Sequence, residues 1–84
     1  MQTDEIITRL TGIFRALFEN DTLQLTPETS PEEIRGWDSM ANVTLLIEIE
    51  HEFKIRIKPA QMEAMQNVGD LVELIKRLYL PAAS

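Results

Sequence analysis

Cysteine is absent from the 84 residues, which excludes disulfides and thiolate metal sites as supports for the fold. Histidine occurs once and glycine three times, so the chain has no Gly-rich phosphate loop and no His and carboxylate grouping with ligand spacing. Basic residues are few: eight Lys and Arg stand against fourteen Asp and Glu, a formal net charge of −6. Binding a nucleic-acid backbone needs a basic patch that this composition does not offer. No apolar run approaches the roughly 20 residues of a membrane span. The N-terminus, Met1-Gln2-Thr3-Asp4-Glu5, is acidic and lacks the positive region and apolar core of a signal peptide. A cytoplasmic protein is expected. A chain of this size forms one domain, 1–84, burying only about 60 to 65% of its unfolded surface, which leaves little room for an elaborate catalytic cleft.

What is present is helical periodicity. Ile6, Ile7, Leu10, Ile13, Phe14, Leu17 and Phe18 recur at helical spacing and predict a first helix from about Asp4 to Phe18, capped by Thr3 or Asp4. From Glu19 to Trp37 the pattern breaks, with Pro27 and Pro31 as punctuation and Leu23, Leu25 and Ile34 available to pin a long loop to the core. Within it, Ser30-Pro31-Glu32-Glu33 combines a capping serine, proline at N1 and glutamate at N3, predicting a short helical turn. A second helix runs from Ser39 to about Phe53, with Met40, Val43, Leu45, Leu46, Ile47, Ile49 and Phe53 spread over a wide apolar arc. Its polar wedge is narrow: Ala41, Thr44, Glu48, His51 and Glu52. Glu50 falls inside the apolar arc with no partner apparent from sequence.

Ile55-Arg56-Ile57 reads as an extended link with both isoleucines inward. Pro59 suits the start of a short third helix to about Met65, with Met62 and Met65 inward. Asn67 caps a last helix whose buried face is Val68, Leu71, Val72, Leu74, Ile75, Leu78 and Tyr79, stopped by Pro81 and followed by a frayed end at residues 82–84. The fold class expected is all-α: a small four-helix bundle of three main helices and one short one, with a long first loop.

The chemistry concentrates at Trp37-Asp38-Ser39-Met40. Asp38 sits where an N-cap belongs, and Ser39 follows at N1 or N2, facing outward. A phosphodiester on that hydroxyl would lie beside free backbone amides and the positive end of the helix dipole. His51, the one candidate general base, lies three turns further along the same helix, roughly 18 Å at 1.5 Å per residue, too far to deprotonate Ser39. No catalytic set can be assembled.

The spacing D-S-M-x-x-V-x-L-L-x-x-x-E-x-x-F-x-I-x-I, running from Asp38 through Val43, Leu45, Leu46, Glu50, Phe53 and Ile55 to Ile57, resembles the acyl and peptidyl carrier protein family. The resemblance implies a carrier and not an enzyme. Ser39 would take 4'-phosphopantetheine from coenzyme A, with Asp38 and Met40 beside the attachment point, and the arm's thiol would carry an acyl or aminoacyl thioester for fatty-acid, polyketide or other specialised biosynthesis. It implies docking through Trp37, Met40, Ala41, Thr44 and Glu48, and a cargo pocket drawn from Val43, Leu46, Phe53, Ile57, Met62, Met65 and Leu71. The implied partners of this monomer are a phosphopantetheinyl transferase, a loading ligase for the acyl or aminoacyl group, and downstream acyl-transfer enzymes.

Departures from the family pattern point to a specialised carrier. Ala41 and Thr44 stand where housekeeping carriers are usually acidic, and Met62 and Leu71 where alanine is frequent, leaving less room between helices. The run from Asp38 to Glu48 also resembles D-alanyl carrier proteins. The alternative reading is an unmodified helical interaction module with a carrier-like fold. A calcium sensor is excluded by the lack of a D-x-D-x-D-G loop.

Overall fold

Residues 2–79 are described by a computed structural model. The first apolar stripe folds as α1, Thr3–Leu17, burying Ile6, Leu10 and Phe14, with Ile7, Ile13, Leu17 and Phe18 packed at the margin of the core. The helix begins one residue earlier than its sequence suggests. Gln2 takes the N-cap position with no side-chain cap, its carbonyl accepting from the Ile6 amide at 3.0 Å, while Thr3 and Asp4 lie inside the first turn. A backbone acceptor thus replaces the side-chain cap. At the other end Glu19 is left-handed (φ 52°) and the Asn20 amide closes on the Arg15 carbonyl at 3.0 Å, a helix stop usually given to glycine.

The long loop is tied down at several points. Leu23, Leu25 and Ile34 are buried as expected, and Arg15 Nε donates to the Leu23 carbonyl at 2.8 Å. The predicted turn is a 3-10 turn, Pro31–Glu33, with the Ser30 amide donating to the Glu33 carboxylate at 3.1 Å. The second helix, α2, spans Ser39–Phe53, the short α3 spans Pro59–Ala64, and α4 spans Val68–Leu78. In α4 the Asn67 side chain accepts from the Asp70 amide at 2.8 Å, the cap that its sequence predicts. The first amides of α4 find acceptors in the loop: Val68 N–H donates to the Thr29 carbonyl and Gly69 N–H to the Pro27 carbonyl, both at 2.8 Å. Helix-start amides have no partner within their own helix, so these contacts satisfy α4 and anchor the loop together. A Cβ at Gly69 would meet the Pro27 carbonyl oxygen at 3.0 Å, which explains a glycine in the first turn.

α1 packs on α2 and α4, and α3 lies against α2. Phe14, Phe53, Leu45, Ile49, Leu71 and Ile75 form the centre of the core. Ile55 and Ile57 point inward from the extended link, as their alternation predicts. Glu50 has a partner after all: its carboxylate accepts the Ile57 N–H at 2.7 Å, fixing the link to α2. The expected stop at Pro81 and the end at 82–84 lie outside the described residues.

Candidate functional site

Gly36, with φ +92°, swings the backbone out of the loop immediately before the Trp37-Asp38-Ser39 segment. Asp38 is the N-cap of α2: its Oδ1 accepts from the Ala41 amide at 2.9 Å and its carbonyl from the Asn42 amide at 2.9 Å. Ser39 is therefore N1, and its side chain is exposed. The amides of Ser39 and Met40 precede the first intrahelical bonds, so this helix start retains donors beside the hydroxyl.

Beside Ser39 runs a groove of about 180 Å³. Ser39, Asn42, Val43 and Leu46 form its α2 wall, and Pro59, Met62 and Glu63 form its α3 wall. A larger concavity of about 620 Å³ lies along the first loop, lined by residues between Phe18 and Arg35, and does not include the serine. The smaller groove is the relevant one because it opens on the exposed Ser39 hydroxyl and its walls are mainly apolar.

Three expectations for this region are corrected. Trp37, expected at the docking surface, is 8% exposed, its ring edge-on to Phe14 with centroids 5.0 Å apart. A large aromatic next to the core gains more from burial than from facing water. Second, the apolar arc of α2 is not buried throughout. Leu45, Ile49 and Phe53 face the core, whereas Met40, Val43 and Ile47 are 80%, 61% and 56% exposed. A helix with apolar residues on most of its circumference buries only the sector that its neighbours cover. Third, the expected pocket residues divide. Val43, Leu46 and Met62 line the groove; Phe53, Ile57 and Leu71 are core, at or near zero exposure; Met65 is half-buried beside another concavity between α3 and α4.

Of the remaining docking candidates, Met40, Thr44 and Glu48 are exposed and Ala41 is half-buried. Asn42, Pro59 and Glu63 were not anticipated in the groove. Asn42 carried a usable signal, since it stands one helical turn after Ser39 on the same face. His51 is exposed and remote from Ser39 along α2. Among the described residues no cluster of His, Asp and Glu suits a metal, and no helix is long and apolar enough to cross a membrane.

The donors at the start of α2, the free hydroxyl and the adjoining groove together suit a long polar arm ending in a phosphodiester. Residues 8–75 match the family described as phosphopantetheine attachment site. The chain is 32% identical over 78 residues to acyl carrier protein 2 of Ralstonia nicotianae, covering 93% of this chain and 96% of that one. It is 39% identical over 56 residues to the acyl carrier protein of Helicobacter pylori, covering 67% and 72%. The solution NMR structure of a holo acyl carrier protein from Geobacter metallireducens superposes with a TM-score of 0.78 at 36% identity, covering 86% of this chain and 83% of that one. The chain thus belongs to the acyl carrier protein family, carriers and not catalysts, whose prosthetic group is 4'-phosphopantetheine.

Proposed function

We propose that Ser39 is the attachment point for 4'-phosphopantetheine and that this chain carries a short acyl or aminoacyl group. The observation that carries the reading is the exposed hydroxyl at N1 of α2, held by the Asp38 cap at the mouth of the groove. When bound, the arm supplies a terminal thiol that takes the cargo as a thioester. Loading joins Ser39 Oγ to the phosphorus of coenzyme A that bears the pantetheine arm, breaking the pyrophosphate bond and releasing adenosine 3',5'-bisphosphate. The hydroxyl proton passes to a base on the transferase, since His51 stands twelve residues further along α2, roughly 18 Å away along the axis.

A short cargo is supported by the interior. Met62 and Leu71 are buried and fill the space between helices, and the groove beside Ser39 holds only about 180 Å³. The likeness of the Asp38 to Glu48 run to D-alanyl carriers supports the aminoacyl option. Fatty-acid, polyketide or other specialised biosynthesis would use such a carrier. Its partners are a phosphopantetheinyl transferase, a loading ligase and downstream acyl-transfer enzymes. They dock on the exposed side of α2 through Met40, Val43, Thr44, Ile47 and Glu48, and not through the buried Trp37. The family match over residues 8–75 supports reading 1–84 as one carrier domain, for which the proposal is a cytoplasmic monomer.

The test is intact-protein and peptide mass spectrometry after incubation with coenzyme A and a phosphopantetheinyl transferase. The wild-type chain should gain one phosphopantetheine, mapped to Ser39, and Ser39→Ala should gain none while keeping its helical circular dichroism. An adduct on another residue, or a wild-type chain that stays unmodified, overturns the assignment.

A further inference from the structure

Trp37 and Asn42 are joined by a side-chain hydrogen bond: the indole Nε1–H donates to Asn42 Oδ1 at 2.7 Å. An indole N–H can only donate, so the amide must turn its oxygen toward it, and the orientation of the Asn42 side chain is settled by chemistry. Trp37 is itself held, edge-on to Phe14 at 5.0 Å and tilted against Phe18 at 6.3 Å. The aromatic cluster thus holds the Asn42 oxygen, and the amide nitrogen is left with two protons and no protein acceptor among the described residues.

Asn42, one helical turn after Ser39, also lines the groove that opens on that serine. Val43, Leu46, Pro59 and Met62 offer that groove only apolar surface, and Glu63 offers an acceptor. Apart from Ser39 itself, the Asn42 amide is the one side-chain donor on its walls. A phosphopantetheine arm presents a phosphodiester and amide carbonyls, and an oxygen entering an apolar groove loses water hydrogen bonds that a donor must replace. We propose that Asn42, aimed by the Trp37 indole, is a binding residue for the arm: its Nδ2–H donates to an oxygen of the arm lying in the α2–α3 groove. The proposal rests on attachment at Ser39, and Trp37 serves in it as a positioning residue.

Side-chain amide NMR of the full-length, 15N-labelled chain before and after enzymatic loading tests this. On conversion to the holo form, one Asn42 Nδ2 proton should move downfield and exchange with water several-fold more slowly, while the amides of Asn20 and Asn67 stay in place as internal controls. In Trp37→Phe, which keeps an aromatic ring but removes the indole donor, the arm should still add to Ser39 by mass while the Asn42 downfield shift is lost. Two results overturn the proposal with Ser39 loaded: an Asn42 amide that moves no more than the controls, or one that moves equally in Trp37→Phe. Failure of the Ser39 assignment is read separately, from the peptide masses of the same samples.

Discussion

Asp38 and Trp37 flank the same turn and do different work there. Asp38 supplies the cap, and replacing it with alanine should destabilise the protein by about 1 kcal/mol, measured by urea denaturation. Asp38→Asn keeps a good capping side chain and should cost only a few tenths of that; loading by the transferase should slow in Asp38→Ala, where the start of α2 frays around the hydroxyl. Trp37 supplies packing. Its truncation to alanine should cost about 3 to 5 kcal/mol, as for other buried aromatics, seen as a large drop in the urea midpoint. A mutant that keeps wild-type stability but binds its partner enzymes poorly would return Trp37 to the surface role that its sequence position suggested. What misleads at this position is adjacency: a residue next to an exposed serine in sequence can point the opposite way, because the chain is extended at Asp38 just before the helix begins.

At the scale of elements, Glu50 shows a carboxylate on an apolar arc put to structural use. Its bond to the Ile57 amide at 2.7 Å spans seven residues and ties the extended link to α2. Glu50→Leu should leave that buried N–H without an acceptor and cost about 1 to 3 kcal/mol. Glu50→Gln, which retains a carbonyl acceptor, should lose markedly less, and hydrogen exchange at Ile57 distinguishes the two. Equal losses would assign the effect to the charge and not to the bond. The elements legible in the sequence are those specified by neighbours three or four residues apart: the α1 stripe, the Asp38 and Asn67 caps, the Ser30 to Glu33 turn. Those that escaped it depend on which element lies opposite. Glu50 needed the position of the link, Gly69 needed the loop carbonyl of Pro27, and the exposed flank of α2 needed to be known as uncovered. The site divides similarly. The Asp38 cap and the exposed Ser39 at N1 belong to one local motif and are legible in it, whereas the groove depends on the docking of α3, so only Val43, Leu46 and Met62 of its expected residues line it.

For the molecule as a whole, charge is the least balanced quantity. Residues 1 to 53 hold eleven acids and three bases, a balance of −8, and residues 54 to 84 hold three acids and five bases, a balance of +2. The ion pairs among the described residues are three, Arg9 with Glu5, Arg9 with Glu52 and Lys76 with Glu73, all solvent-accessible, and exposed pairs contribute little. Repulsion among the remaining acids therefore outweighs attraction, and salt should stabilise the fold by screening it. The melting temperature is expected to rise between 20 mM and 500 mM sodium chloride; a fall would mean that the pairs matter more than the excess of acids. The chain also contains a single tryptophan, and it is the one buried beside the turn that carries Ser39. Its ultraviolet emission comes from that one place alone, so installation of the prosthetic group and the arrival of each partner can be followed optically, in real time, on the unlabelled protein.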